Sequence, residues 1–294
     1  MLELFDLPLP RGLHLSCRAM GPHDAPALVF LHGFPEAAFI WDEQMRGLAT
    51  RYRCIAPNLR GYERSSRPRE VEAYRAKHLV GDIVALIEQS GAPLEALVAH
   101  DWGGAVAWNL AVQHPTLLRR LVILNSPHPG TFLRELQLNP AQQQASAYMN
   151  ALCQPDAEAR FSADGFAALM AFFEHGGGSA RWLDDALRQR YRELWSGGIT
   201  GMLNYYRASP MRPPTAQDPA ALALRFAPEF VTVHVPTTVI WGEADRALPP
   251  ALLDGLEAFV PRLRVERVAG AGHWLIHEQP TTVAALLEAA LLRA

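Results

Sequence analysis

Lysine is almost missing from this 294-residue chain: Lys77 stands alone, and the other 26 of the 27 basic residues are arginine. Arginine suits forked pairing and phosphate binding, but here it is scattered, and arginine- and alanine-rich codon usage is the simpler explanation. Charge of one sign is missing too. With 27 basic against 30 acidic residues the net charge is −3, so no basic field awaits nucleic acid or an anionic membrane. Cys17, Cys54 and Cys153 are the only cysteines. Three thiols so far apart exclude a disulfide scaffold and a CxxC metal site, and they suit a reducing cytoplasm. No apolar stretch approaches the roughly 18 residues of a membrane span. The opening MLELFDLPLPRGLHLS has no basic stretch ahead of an apolar run, so no secretory leader is expected.

What is present is a globular composition, 49% hydrophobic and 19% charged. A chain of this size buries about three quarters of its extended surface, enough for a core without staples. From Ala25 to Asn125 short apolar runs alternate with helical patterns. Ala27–Leu31, Cys54–Ala56, Leu94–Ala99 and Leu121–Leu124 read as buried strands; Trp41–Ala49, Tyr74–Ser90 and Gly103–Gln113 read as helices. That repetition implies right-handed crossovers and a mostly parallel sheet flanked by helices, an α/β fold. From Ser126 to Phe226 the pattern is helical, broken by prolines and by Gly176-Gly177-Gly178-Ser179. Strand character returns at Thr237–Trp241 and Val265–Val268, with helices expected at Leu248–Phe259 and Thr281–Leu292. The expected division is a discontinuous core, residues 1–126 and 227–294, with a helical cap over 127–226.

Val98-Ala99-His100-Asp101-Trp102-Gly103-Gly104 runs from an apolar strand into a helix, with small residues flanking Asp101. A strand-to-helix turn that sharp tolerates only small neighbours and lifts its central side chain above the sheet. Taken singly, Asp101 could simply cap the following helix. Three other segments argue otherwise. His32-Gly33-Phe34-Pro35-Glu36 follows a strand, where such folds supply an oxyanion-hole amide. Trp241-Gly242-Glu243-Ala244-Asp245 delivers a carboxylate at a strand end, and Gly270-Ala271-Gly272-His273-Trp274 an imidazole. The chain order Asp101, Asp245, His273 is nucleophile, acid, base, and ligands in open α/β sheets sit at these carboxyl ends.

With these residues in place, the chain resembles α/β-hydrolases of the epoxide hydrolase and haloalkane dehalogenase branch, which carry aspartate where esterases carry serine. The matching motifs run from His32 to His273; His-Gly-Phe-Pro-Glu with His-Asp-Trp-Gly-Gly is especially similar to epoxide hydrolases. Ala99 stands where glycine is common, and Asn58-Leu-Arg-Gly-Tyr-Glu63 replaces the commoner Asp-Leu-Arg-Gly-Tyr-Gly. The resemblance implies cofactor-free and metal-free hydrolysis of a small apolar epoxide to a vicinal diol. Asp101 would attack, His273 with Asp245 would activate water, and the amides of Phe34 and Trp102 would hold the oxyanion. Leu203-Asn204-Tyr205-Tyr206-Arg207 matches a Leu-Asn-aromatic-Tyr-Arg motif and makes Tyr206 a donor to the ring oxygen. Ala147-Tyr148-Met149 resembles the setting of the second donor, Tyr148, while Tyr205 packs on another face. Trp102, His32 and Pro35 are expected to touch substrate. The protein is expected to be a monomer or homodimer.

Two other readings compete. A dehalogenase would use Trp102 as one halide donor and needs a second, which only Trp182 or Trp195 could supply, because Phe34 stands where asparagine serves in such enzymes. A non-catalytic ligand-binding relative would usually lack a triad member, and all three are present. His273 and His277 are four apart but lack the glutamate and third ligand of a zinc helix. His277 is expected at the surface, and His100 is expected on backbone. Glu36 is expected either to cap or to orient the oxyanion loop, and the sequence does not choose between them. Phe166, Leu169, Met170, Phe172, Phe173 and Trp182 are expected mostly in the cap core, with some lining the pocket.

Overall fold

The computed structural model describes residues 1–292. Eight strands form one sheet: β1 (Glu3–Pro8), β2 (His14–Met20), β3 (Ala27–Leu31), β4 (Arg53–Pro57), β5 (Ala96–His100), β6 (Leu121–Leu124), β7 (Thr237–Gly242) and β8 (Leu263–Val268), in the order β1-β2-β4-β3-β5-β6-β7-β8. From β4 to β8 every pairing is parallel, while β2 runs antiparallel to both β1 and β4. Alternation along the strands divides the core. Val29, Leu31, Leu97 and Ile123 face α2 (Ala76–Ser90) and α3 (Asp101–Gln113); Leu28, Phe30, Val98 and Val122 face α1 (Asp42–Leu48) and α12 (Pro280–Leu291). Burial on both faces is why these strands read as unbroken apolar runs.

The β1–β2 hairpin was not anticipated. Its strands mix polar and apolar residues, with an exposed face on the edge strand β1, and this pattern is weaker than an apolar run. Leu248–Phe259 is not the expected helix but two short 3-10 turns, Pro250–Leu253 and Leu256–Ala258. Pro249 and Pro250 withhold backbone donors, and Gly255 at φ 73° reverses the chain. The final helix starts at Pro280 with Gln279 before it, and no side chain caps it.

Between β6 and β7 the described chain forms no strand. It runs through α4 (Pro129–Leu138), α5 (Pro140–Ala145), α6 (Ala147–Leu152), α7 (Ala157–His175), α8 (Asp185–Ser196), α9 (Thr200–Ala208) and α10 (Ala220–Ala223), with α11 (Leu275–Glu278) following β8. Helix α7 is bent where Asp164, Gly165 and Phe166 adopt left-handed backbone. No helix among the described residues is long and apolar enough to cross a membrane.

The strand order reverses at β3, whose neighbours are β4 on one side and β5 on the other. Loops leaving β3 and β5 in opposite directions open a crevice at their carboxyl ends, the usual ligand site of such sheets.

Candidate active site

Asp101 sits at the first position of α3 with φ 49°, a left-handed conformation costly for a residue with a side chain. Its neighbours explain how the turn closes. A Cβ on Gly103 would lie 2.6 Å from the carbonyl oxygens of Leu31 and His32, and one on Gly33 would lie 2.3 Å from the Asp101 side chain. Because β3 and β5 are paired with Leu31 opposite Ala99, the loop after β3 arrives directly against Asp101. There the amide of Phe34 donates to Asp101 Oδ1 at 2.7 Å. Trp102 follows at the first turn of α3, where backbone N–H groups have no acceptor within the helix. Ser126 Oγ donates to the Asp101 carbonyl at 2.6 Å.

Asp101 Oδ2 faces His273 Nε2 at 3.7 Å. His273 Nδ1 donates to Asp245 Oδ2 at 2.8 Å, so three residues widely separated in sequence meet beyond the carboxyl ends of β5, β7 and β8. Burial alone would lower the His273 pKa, but the charges of Asp245 and Asp101 and the bond to Asp245 raise it to about 9. Asp245 is itself fixed on both oxygens. Oδ1 accepts from the amides of Ala247 and Leu248 at 2.9 and 2.8 Å, and Oδ2 also accepts from Asn125 Nδ2 at 2.5 Å. Asn125, at the end of β6 with φ 37°, also accepts from the Gly242 amide at 2.8 Å. Nothing in the sequence around Leu-Asn-Ser-Pro singles it out.

A cavity of about 570 Å³ opens over Asp101, lined by Phe34, Tyr148, Phe172, Tyr206, His273 and a run of alanines from the helical insertion. A smaller cavity of about 70 Å³ reaches Asp101, Tyr148 and Tyr206 from the other side and is bordered by Trp102. Tyr206 packs edge-on against Phe34 and Trp102, each at 5.1 Å between ring centres, and Tyr148 lies 6.1 Å from Tyr206. Burial, the neighbouring Tyr148 and the Asp101 charge hold the Tyr206 hydroxyl well above the usual tyrosine range. Burial and the charges of Asp101 and Asp245 raise that of Tyr148 likewise. Both stay protonated.

The Leu-Asn-aromatic-Tyr-Arg motif has a structural basis. Asn204 Nδ2 donates to the Arg69 carbonyl at 3.1 Å, and Arg207 forks onto Glu158 of α7 at 2.6 and 2.8 Å. A Cβ on Gly201 would lie 2.6 Å from the Gly61 Cα, so α9 seats flush on the core loop and carries Tyr206 over Asp101. Tyr205 points elsewhere and donates to the Arg60 carbonyl at 2.8 Å.

Three expectations need correction. His32 does not border either cavity. It is wholly buried, its Nε2 accepts from the Leu59 amide at 3.0 Å, and its Nδ1 donates to the Gly33 carbonyl at 3.0 Å, so it shapes the loop rather than touching substrate. Pro35 lines neither cavity, its carbonyl accepting from the Trp195 indole at 2.8 Å. His277 is not a surface residue: its Nε2 donates to Glu36 Oε1 at 2.7 Å beneath the stacked Trp182 ring.

Glu36 does more than the sequence suggests. It is fully buried, accepts from Tyr191 of α8 at 2.8 Å, and faces His100 Nδ1 at 3.6 Å. Burial would raise its pKa, but His277 and His100 hold it well below the usual carboxylate range. His100 in turn donates to the His273 carbonyl at 2.9 Å. The glycine run also has a purpose. The Gly176 carbonyl accepts from the His273 amide at 3.1 Å, and a Cβ on Gly177 would lie 1.9 Å from the Ala244 oxygen. Phe172 lines the larger cavity, whereas Leu169, Met170 and Phe173 are buried among the helices. No group of three or more potential metal ligands occurs among the described residues.

Comparison with known proteins agrees with this architecture. Residues 26–280 match the alpha/beta hydrolase fold family. The chain is 35% identical over 280 residues to the AB hydrolase superfamily protein YfhM of Bacillus subtilis, covering 94% of this chain and 93% of that protein. It is 31% identical to mouse epoxide hydrolase 4, covering 95% of this chain and 77% of the relative. Among solved structures, an epoxide hydrolase from hot-environment metagenomes superposes with a TM-score of 0.90 at 39% identity over the whole of both chains. The Bacillus megaterium epoxide hydrolase solved with an inhibitor gives 0.87 at 32%, covering 99% of this chain and all of that one. The chain therefore belongs to the α/β-hydrolase family, as an epoxide-hydrolase-like member of it.

Proposed function

We propose that the protein hydrolyses an epoxide to a vicinal diol through an ester on Asp101, as the similarity to named epoxide hydrolases suggests. The observation that carries this reading is the asymmetric setting of the Asp101 carboxylate. Oδ1 rests on the Phe34 amide while Oδ2 stands free towards His273, beneath two protonated tyrosines in one cavity. A carboxylate needs no deprotonation to attack saturated carbon. Oδ2 forms the bond to a ring carbon, the carbon–oxygen bond breaks, and the ring oxygen takes a proton from Tyr148 or Tyr206. A water in the space between His273 and Asp101 then gives its proton to Nε2 and attacks Cγ. The oxyanion develops on Oδ1, where the amides of Phe34 and Trp102 stabilise it, each such donor being worth about 2.7–4 kcal/mol. Collapse breaks the Cγ–Oδ2 bond, the departing alkoxide takes the proton held by His273, and the proton left on the Asp101 carboxyl returns to the tyrosinate, so that diol leaves and the resting state is restored with epoxide and water consumed.

In this reading residues 127–226 act as a cap that brings the ring-oxygen donors to a core formed by 1–126 and 227–294. The indoles a dehalogenase would recruit are placed elsewhere: Trp195 Nε1 is bonded to the Pro35 carbonyl, and Trp182 is stacked on His277. Cys17 and Cys54 are buried and unpaired, their thiols raised to about 12 by burial, which fits the reducing cytoplasm. A panel of styrene-like, aliphatic and fatty epoxides beside haloalkanes tests the function. Diol from epoxides, lost about a hundredfold or more when Tyr148 and Tyr206 are both changed to Phe, supports it; halide release with no diol overturns it.

A further inference from the structure

We infer that the Gly176–Ser179 run and Glu278 are positioning elements for the second half-reaction, tying the loops of Asp245 and His273 together at one spacing; this rests on the epoxide reading above. His273 reaches its place from β8 through Ala269-Gly270-Ala271-Gly272, a backbone with two glycines and little stiffness of its own. The His273 carbonyl is held by His100, and the neighbouring amides are held from outside the loop. The Gly272 amide donates to Glu278 Oε2 at 2.7 Å, and the His273 amide donates to the Gly176 carbonyl at 3.1 Å. The same carbonyl accepts at 3.3 Å from the amide of Arg246, the residue directly after Asp245. One oxygen with two lone pairs thus joins both loops, beside the direct bond from the Ala244 amide to the Ala271 carbonyl at 2.8 Å.

The run belongs to the helical segment between β6 and β7: α7 ends at His175, and Gly176 follows it at the wall of the larger cavity. It meets the core backbone to backbone, which accounts for three successive glycines. A Cβ on Gly176 would collide with the Trp274 indole, one on Gly177 with the Ala244 oxygen, and one on Gly178 with the Glu278 carboxylate. Gly177 at φ 94° and Gly178 at φ 58° also occupy left-handed backbone, which disfavours any side chain. Gly272 is shaped for the same contact, since its own Cβ would strike the Gly177 carbonyl carbon. A further bond in the same direction runs from Trp274 Nε1 to the Phe172 carbonyl of α7 at 3.1 Å.

Glu278 closes the clasp from α11. Its Oε2 accepts from the Gly272 amide and, at 3.4 Å, from the Ser179 amide, one donor in each segment. Its Oε1 is buried without a partner among the described residues, so the side chain is directed at these two amides. Burial raises its pKa above the ordinary glutamate value, against the bonds from Gly272 and Ser179 that lower it. The two half-reactions depend on this clasp unequally. Ester formation needs Asp101 Oδ2 and a phenol proton, and the clasp touches neither. Ester hydrolysis needs His273 Nε2 placed over a water beside Cγ, and a misplacement of about 1 Å costs up to about a hundredfold.

The test follows formation and decay of the Asp101 ester separately, by rapid quench with styrene oxide and an aliphatic terminal epoxide. Glu278→Ala should slow ester decay about tenfold or more and leave ester formation unchanged. Glu278→Gln, which keeps an acceptor oxygen for the Gly272 amide, should hydrolyse the ester at close to the wild-type rate. Gly177→Ala, which pushes the run off Ala244, should reproduce the selective loss from the other side. Should Glu278→Ala fail to fold, Glu278→Asp carries the same expectation, because it keeps the charge and draws the acceptor back by one methylene. Equal slowing of both half-reactions, slowing of neither, or a Glu278→Gln variant as slow as the impaired ones overturns the inference and leaves the epoxide reading standing. If the wild type forms no ester on Asp101 and converts neither epoxide, the epoxide reading itself fails and this inference falls with it.

Discussion

Asn125 and His273 share one oxygen of Asp245, the Asn125 Nδ2 lying 2.5 Å from the same Oδ2 that accepts the imidazole at 2.8 Å. The left-handed backbone of Asn125 and the bond from the Gly242 amide to its Oδ1 lock that amide in place. The aspartate is therefore oriented by four donors, and its one imidazole contact cannot swing away.

Asn125→Ala removes a fully buried donor and leaves the Gly242 amide without its acceptor. Unsatisfied buried polar groups cost about 1–3 kcal/mol each, so the unfolding free energy should fall by that order. Ester hydrolysis should slow more than ester formation, because only the former needs His273 as a base. Rapid-quench measurement of the two half-reactions checks this; an equal effect on both steps would contradict it.

The His273 pKa of about 9 has two consequences with opposite readouts. The folded value lies above the ordinary 6.5, so this group adds stability that is complete below about 6.5 and fades as pH rises through 9. Catalytically, the free enzyme holds a cationic imidazole at neutral pH, and the Asp101 charge contributes to that. Alkylation of Asp101 removes this charge, so in the ester the His273 pKa falls below the free-enzyme value and the base becomes available. Single-turnover hydrolysis should rise with pH through a midpoint below about 9. A midpoint at or above the free-enzyme value contradicts the assignment.

Glu36 joins the oxyanion loop, α8 and the segment after His273 through Tyr191, His277 and His100. Glu36→Ala leaves the Tyr191 hydroxyl and the His277 ring without their shared acceptor, and unsatisfied buried polar groups cost about 1–3 kcal/mol each. Denaturant unfolding should show a loss of that order. Tyr191→Phe, which leaves the Glu36–His277 pair intact, should lose less; equal losses would mean that the carboxylate is not the hub.

Asp101 and Asp245 were legible because each follows a buried apolar strand and has glycines nearby, and His273 because Gly270 and Gly272 flank it after the last strand, a local signature of backbone in tight loops at strand ends. Tyr206 was legible through Asn204 and Arg207, whose bonds to the core and to α7 explain why those neighbours accompany it. Asn125 was not, because its task is set by the pairing of β6 with β7, a long-range contact no local pattern records. His277 and Glu36 were misjudged or left open for the same reason, being brought together across 241 positions. His32 was placed on substrate because it opens the loop that holds Phe34; the structure turns its ring into the core instead. The parallel strands were read from their apolar runs, and the β1–β2 hairpin was missed because an edge ribbon needs no such run. In the sequence the Gly176-Gly177-Gly178 run only interrupts a helical pattern, yet the 1.9 Å approach a Gly177 Cβ would make to the Ala244 oxygen shows a packing requirement.

The covalent ester on Asp101 is tested most directly by mass. His273→Gln removes the base but leaves Asp101, the Phe34 amide and both tyrosines in place, so the first half-reaction should proceed and the second should stall. Mixed with an epoxide that the wild type converts, this variant should gain the full mass of the substrate on a peptide containing Asp101, and the same mixture with Asp101→Asn added should not. An unmodified Asp101 peptide from a folded variant that still binds the epoxide would contradict covalent catalysis and require water to attack the ring directly.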